Sequence, residues 1–562
     1  MNKAAVSAPK TTMDPADFNV LSGCFRSIAE EMSEIMLRAA YSTIVREAKD
    51  CSTCLMDADA RTVAQAEAIA VHMNSLAAAV PYFRQRYDIS QTKPDEMYIT
   101  NNPYENGQHL NDIIVLMPVF HEEQLVAFTG SICHHLELGG AVAGSNANAT
   151  EIFHEGIIIP SMKINERDLY DGPVEAMLRA NCRLPDIVLG DFHAQLSAAM
   201  RGRALVQELI QKHGVELVST CMAELQDYSE RMLRATIANL PDGDYHGEDA
   251  LDGQTLDGPQ PMVRARVTIK GDEAVVDLSE SDDQVSWPVN CPVASTHSAA
   301  MTVFGQIAGS NVPTNDGTYR PIEIRTRKGS ILDPLHPAPV RGRMASAYRT
   351  ASAVKRALGA VIPERLSAAG SDCTNIVTMS RKQGAGYEMF AESISGGNGA
   401  GRTIDGADVV AQMLSNTANT PIEALEMDHD FVRIRSYELI RDSGGAGAFR
   451  GGLGVRRTYD VLADGILLST NGDRHMTGPW ALAGAEEGSR AMFALVRDGQ
   501  TTPFPAATNM ALRAGDQVVI EISGGGGYGD PKSRDRDLVR RDLHEDRISA
   551  GAASRVYGLL EG

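Results

Sequence analysis

The sequence predicts an α+β fold divided among several domains, with a mixed α/β region at the N-terminus and a β-rich, glycine-rich region at the C-terminus. Three observations point there. The 562 residues are too many for one hydrophobic core. Hydrophobic periodicity changes along the chain, from steps of three and four near the start to alternation and short apolar runs farther on. The 51 glycines cluster in the last third, where they mark tight turns and close backbone approaches.

Taken in order, the first element is a helix. Asp14 is a capping residue, Pro15 suits the first helical position, and Asp17 favours the positive end of the helix dipole. Phe18, Leu21, Phe25, Ile28, Met32 and Ile35 then make one apolar face that runs to about Ala40. Residues 52–65 read as strand, turn at 57–61, and strand. A helix carrying Leu76, Val80 and Phe83 follows. Residues 101–107 form a polar, turn-rich loop, and residues 113–119 and 125–131 are buried strands joined by polar 121–124. Residues 191–238 are helical, and 240–243 mark a boundary. Residues 263–277 alternate like strands and open a second domain. Residues 334–343 are proline-rich, and 391–407 and 443–454 are glycine-rich turns. Strands at 455–471 and 517–523 build a third region, and 534–560 is a charged helical tail. The expected division is 14–240, 241–430, 431–532 and 533–562.

Composition narrows the function. The chain is ordinary in its 43% hydrophobic and 22% charged residues, and its net charge is −21. That balance argues against a nucleic-acid surface or an anionic membrane face, both of which need excess Lys and Arg. No apolar run of 18 residues is present, and residues 1–13 lack the apolar core of a signal peptide. The 8 cysteines are scattered, unlike a secreted disulfide scaffold. A cytoplasmic location is expected.

One constellation stands out: His109-Leu110-Asn111-Asp112, followed by His134-His135. Imidazole nitrogens and a carboxylate oxygen suit a borderline divalent ion such as Zn²⁺ or Mn²⁺. The predicted strands place His109, Asp112 and His134 near adjacent strand ends. Surface or core histidines produce such a spacing too, and no helical His-Glu-x-x-His motif is present, so spacing alone leaves both readings open.

Several segments carry a resemblance to a known family. Asn102-Pro103-Tyr104 with Gly107-Gln108-His109-Leu110-Asn111-Asp112, and His134-His135-Leu136-Glu137-Leu138-Gly139-Gly140, resemble signatures of the hydantoinase B/5-oxoprolinase family. Segments 150–157, 442–447, 450–455 and 524–531 are similar to further family segments and occur in the same order. The family includes 5-oxoprolinase domains, N-methylhydantoinase and lactamase subunits, and one subunit of acetone-type carboxylases. In these systems a companion subunit or domain binds ATP and phosphorylates the substrate carbonyl. The resemblance implies that His109, Asp112 and His134 are metal ligands and that Asp50, in Arg46-Glu47-Ala48-Lys49-Asp50-Cys51-Ser52, is a fourth. It implies that His72, which follows Gln65-Ala66-Glu67-Ala68-Ile69-Ala70-Val71, acts as a base or an orienting group. His135 and Glu137 would fix ligand tautomers or shuttle protons. Cys51 and Glu137 stand where an aromatic residue and an aspartate are usual.

The function implied by the resemblance is the metal-binding subunit of an ATP-dependent cyclic amide hydrolase. It would open a hydantoin, lactam or 5-oxoproline-type ring, in a hetero-oligomer with a hydantoinase A-type ATPase subunit. A carboxylase subunit of acetone type and a non-catalytic scaffold subunit are the two other readings. Agreeing with a separate ATPase, the chain contains no Gly-x-x-x-x-Gly-Lys-Ser/Thr loop. Gly524-x-Gly526-x-x-Gly529 matches the dinucleotide fingerprint, but Asp530-Pro531 interrupts the helix that should follow, so it reads as a turn. Cys51-x-x-Cys54 has no partner pair at zinc-ribbon spacing and reads as two buried thiols. Cys133 adjoins two histidines, but a His134 that ligates a metal is not free to activate it as a nucleophile.

Overall fold

The computed structural model describes residues 11–559 apart from 67–68, 73–74, 145, 169 and 385. Most of the leader reading at 1–13, Glu67 of the family segment and the end of the tail at Leu560 therefore lie outside the described residues. No helix among the described residues is long and apolar enough to cross a membrane.

Helix α1 (Pro15–Ala39) begins as its sequence dictates: the Asp14 carboxylate accepts from the Ala16 and Asp17 amides. Phe18, Leu21, Phe25, Ile28 and Met32 are buried, and Ile35 is half-buried. After the short α2 (Thr43–Arg46) come β1 (Cys51–Asp57), β2 (Thr62–Gln65) and α3 (Ser75–Arg86). Then follow β3 (Glu96–Thr100), β4 (Asp112–His121), β5 (Gln124–His134) and β6 (Met162–Asn165). Helices α4 (Pro173–Asn181), α5 (Pro185–His213) and α6 (Val215–Ile237) complete the region. The expected helical stretch starts six residues early, and Gly214, at φ +85°, breaks it in two.

The six strands form one sheet in the order β2-β1-β5-β4-β3-β6, and every pairing is antiparallel. Side chains alternate between its faces. Cys51, Leu55 and Cys133 point to the side covered by α1, while Ile113, Val115 and Met117 pack against α5. Cys54, Ile114, Leu116 and Ile132 meet Leu76, Val80 and Phe83 of α3 on the other side. Cys51 and Cys54 thus face opposite ways, and burial raises both thiols, Cys54 to about 12. They are packing groups, as their spacing suggested.

A second sheet has the order β10-β9-β8-β7, built from β7 (Gly243–Ala250), β8 (Met262–Lys270), β9 (Glu273–Asp277) and β10 (Ile322–Arg325). Against it lie α7 (Val293–Ala308) and α8 (Met344–Gly359), and α8 is buried along nearly its whole length.

The remaining strands make two sheets around one core. Sheet three joins β11 (Asn375–Gln383) and β12 (Gly386–Ile394) to β15 (Ile466–Asn471) and β18 (Thr508–Leu512). Helix α9 (Ile422–Asp428) precedes β13 (Val432–Leu439) and β14 (Val455–Val461), which pair into sheet four with β16 (Met492–Arg497), β17 (Gln500–Phe504) and β19 (Gln517–Ile522). Hydrogen bonds between β11 and β15 therefore cross the expected boundary at 430/431. Strand pairing between segments ninety residues apart leaves no local composition break to read. After β19 the chain runs through its glycine turn without entering a long helix, as the Asp530-Pro531 pair required. The tail helices α10 (Arg536–His544) and α11 (Ala550–Arg555) dock on this region. The buried Arg534 grips Asp405 through both carboxylate oxygens and Asp542 through one, all at 2.7 Å.

Glycine is required where the three glycine-rich loops meet. Gly452 N donates to Asn398 O, Gly525 N to Gly452 O and Gly445 N to Gly525 O, at 2.8–2.9 Å. A Cβ on Gly452 would lie 2.0 Å from Ala407 O, and one on Gly525 2.0 Å from Asn398 O. Gly452→Ala and Gly525→Ala should each lower stability by more than about 2 kcal/mol, because backbone cannot yield as a side chain does. Gly23→Ala in α1, where no atom lies within 4 Å, should leave stability unchanged or raise it by up to about 1 kcal/mol. Thermal unfolding of the three variants decides it; equal midpoints would show that the loops are loose.

Candidate metal centre

Strand pairing brings the predicted ligands together. Asp112 and His134 are directly opposed across β4 and β5, which places their Cβ atoms about 4.5–5.5 Å apart on one face. The Asp112 amide donates to His109 O at 2.9 Å, closing the turn that carries His109 back over the strand end. The loop before it is fixed by Asn101, whose amide donates to Leu110 O and Ile157 O. Gly107 is needed there, since a Cβ would lie 2.7 Å from Asn102 O.

Three donor atoms converge. His109 Nε2 is 3.0 Å from Asp112 Oδ1 and 3.1 Å from His134 Nδ1, and His134 Nδ1 is 3.2 Å from Asp112 Oδ1. Among the described residues, His109, Asp112 and His134 form the group with metal-ligand chemistry. Donors in a shell of about 2.1 Å radius lie roughly 3.0–3.4 Å apart, so the edges observed match one face of such a shell. All three residues are buried. Burial, then the Arg343 charge, holds His109 well below the usual histidine range. Burial opposes ionisation of Asp112, but His109 and Arg343 overcome it and hold the carboxyl well below the usual range. Two imidazoles and a carboxylate whose lone pairs share one corner are a fitting donor set for a divalent cation. The remote Nδ1 of His109 has no partner among the described residues.

The other predicted residues divide. Asp50 stands one step out, with Oδ2 3.7 Å from His134 Nδ1 and its carbonyl accepting the His134 amide. His72 lies against the far side of Asp112, its Nε2 3.7 Å from Oδ2. Its Nδ1 is 3.1 Å from Ser52 Oγ. Because Ser52 Oγ accepts from the Ile69 amide, its own proton is available to Nδ1, which favours the tautomer with hydrogen on Nε2.

His135 and Glu137 make their side-chain hydrogen bonds away from the three donors. His135, one residue past the end of β5, has Nε2 3.4 Å from Gln195 Oε1, and its ring meets Phe192. Burial lowers its pKa. Glu137 accepts from the Gly139 and Arg183 amides at 2.8 Å and from the Arg183 guanidinium at 2.7 Å. Among the described residues neither side chain hydrogen-bonds to His109, Asp112 or His134.

Three residues were missed: Ser52, Gln108 and Arg343. Gln108 lies inside the recognised motif, but Arg343, whose Nη2 donates to Asp112 Oδ2 at 2.6 Å, is 231 residues away, and no local signal marks it.

A cavity of about 1040 Å³ runs from exposed Asn19 and Arg26 of α1 inward to Ser52 and His72, between apolar and amide side chains such as Leu225, Met301 and Asn398. His72 is where it meets the cluster; the three donors do not themselves line it. Cys133, next to His134, points to the α1 face, and burial raises its thiol well above the usual range, which makes it a poor nucleophile.

The chain is thus a multidomain α+β protein with a buried His-Asp-His corner beside a deep cavity. It belongs to the hydantoinase B/oxoprolinase family, whose profile matches residues 14–531. Caprolactamase subunit beta of Pseudomonas jessenii is 30% identical, over 98% of this chain and 96% of its own. The crystal structure of an ATP-dependent caprolactamase from that organism superposes with a TM-score of 0.89 at 29% identity, covering 98% of this chain and 97% of the other. A nucleotide-free acetone carboxylase shares the fold, with a TM-score of 0.87 at 19% identity over 97% of this chain and 80% of the other.

Glu137→Ala should cost about 1–3 kcal/mol of stability by unpairing Arg183, yet leave metal content unchanged. Elemental analysis of the folded variant checks this, and loss of metal would return Glu137 to the site.

Proposed function

We propose that this chain is the metal-binding subunit of an ATP-dependent cyclic amide hydrolase. It adds water to a hydantoin, lactam or 5-oxoproline-type ring whose carbonyl a hydantoinase A-type partner subunit has phosphorylated. The observation that carries this reading is the corner of three buried donor atoms, 3.0–3.2 Å apart, beside the cavity. The similarity to caprolactamase supports the reaction class.

A divalent ion held by His109, Asp112 and His134, with Asp50 close by, would supply a Lewis acid for a substrate oxygen and would acidify water at neutral pH. The chain's own residues do the rest. The cavity holds the ring and limits bulk water, which protects an activated carbonyl from unproductive reaction. His72 lines the inner end of the cavity, between the substrate space and the donor corner, with Nε2 turned toward Asp112. Ser52 fixes the orientation of that ring, and the Asp112 carboxylate lies behind it.

The rival reading, an acetone-type carboxylase subunit, differs in one measurable requirement: its ATP turnover would depend on bicarbonate. Reconstitution with the ATPase-type partner separates the two. The expected result is ring opening coupled to ATP hydrolysis without bicarbonate, and no ring opening by the single chain. His109→Ala should remove metal and lower turnover by at least about 100-fold, in line with loss of a ligand, and circular dichroism of the variant separates that loss from unfolding. Bicarbonate-dependent turnover would replace the hydrolase reading with the carboxylase. A wild-type chain that binds no divalent metal would leave the scaffold reading.

A further inference from the structure

The two oxygens of Asp112 are held by different parts of the chain. Oδ1 faces His109 and His134; Oδ2 accepts Arg343 Nη2–H at 2.6 Å. Arg343 caps the start of α8, outside the sheet that carries the ligands. Its guanidinium is gripped a second time, because Nε donates to Gln108 Oε1 at 3.1 Å. Gln108 is itself fixed: its amide donates to Val71 O at 2.9 Å and to Ser75 Oγ, and Ser295 Oγ donates to its carbonyl. Asp112 and Gln108 are fully buried and Arg343 is 4% exposed. The fork is therefore held in one geometry without competing water.

A carboxylate with both oxygens free has a second mode open to it: it rotates and chelates an ion through both. That would consume a coordination position that a substrate or water needs. The Arg343–Oδ2 bond prevents the rotation and draws charge away from Oδ1, leaving more of an ion's charge for the substrate. We propose that Arg343 is a positioning residue that keeps Asp112 a single-oxygen ligand and so holds the metal centre open. The inference rests on the metal reading of the site. A lysine would not do the same, because its single ammonium lacks the planar fork that reaches Gln108 and Asp112 together.

The test uses the full chain loaded with Co²⁺, together with the reconstituted complex. In the Arg343→Met variant Asp112 swings to chelate. The visible Co²⁺ absorption weakens as coordination number rises, Co²⁺ binds more tightly by calorimetry, and kcat falls about 10–100-fold with KM little changed, as for loss of an outer partner of a metal ligand. Arg343→Lys, which keeps the buried charge, should fall between wild type and Met in spectrum and kcat, and it decides the matter if the Met variant does not fold. Wild-type spectra, affinity and kcat in the folded variants would overturn the positioning role while leaving the metal site intact. A wild-type chain that takes up no Co²⁺ would overturn the site and this inference together.

Discussion

Asp112 is fully buried, yet its carboxyl is held in the charged form. Removing a carboxylate from water costs several kcal/mol even after the protein relaxes, and that cost has to be met by neighbours in fixed positions. His109, His134 and Arg343 supply them. Two of these come from the N-terminal sheet and its loop. The third comes from the helix that packs on the second sheet. The ligand cluster is thus a product of two regions, and the β4–β5 pairing alone, although it sets Asp112 opposite His134, leaves the carboxylate half satisfied.

Helix α8 extends the same logic across the molecule. Arg343 at its start holds Asp112. One and a half turns on, Arg349 donates to Asp249 of β7 at 2.9 Å and to Asp372 O at 2.6 Å, and lies 3.1 Å from Asp473. Ser352 donates to Asp249 and accepts from the Trp480 indole at 2.8 Å. Lys355 donates to Ser367 Oγ and Ala368 O at 3.1 Å. These groups are buried, so each unpaired partner would carry a large penalty. One helix therefore fixes the candidate metal site, the second sheet and the glycine-rich region relative to one another. The Asp249 carboxylate is central to that lock: Arg474, from the loop after β15, also donates to it at 3.0 Å. Burial works against ionisation of Asp249, but Arg474 and Arg349 prevail and hold its carboxyl below the usual range.

What the sequence made legible was local. The cap and apolar face of α1, the β1–β2 hairpin and the apolar face of α3 each follow from a period or a turn within some twenty residues. The donor cluster was legible because its members sit at the ends of two strands joined by one short hairpin. The pairing of β11 with β15 and the reach of Arg343 to Asp112 depend on contacts between distant segments, where loop closure and packing, not local propensity, select the partner. The hydrogen bonds of His135 to Gln195 and of Glu137 to Arg183 likewise reach tens of residues along the chain.

The two faces of the sheet also relate the buried cluster to a cavity that it does not line. The register pairs Ser52 with Ile132 and Asp112 with His134, so Ser52, Asp112 and His134 share the face toward α3 with Ile114 and Ile132. His72 sits on the short turn that leads into α3, and the cavity reaches that turn from the outside. Among the described residues, His72 both lines the cavity and stands beside the cluster: Ser52 holds Nδ1, and Nε2 looks toward Asp112. Its orientation depends on Ser52 remaining bonded to the Ile69 amide, and hence on the backbone between β2 and the His72 turn. Under the proposed function, a ring in the cavity is sensed by the donor cluster through His72, and Arg343 holds the carboxylate behind it still. Specificity for ring size then belongs to the cavity wall, formed largely by α1, α7 and the loops at 309–314 and 411–416, while the chemistry belongs to the sheet. Separating the two lets the wall vary without disturbing the buried charges on which the fold and the cluster both depend.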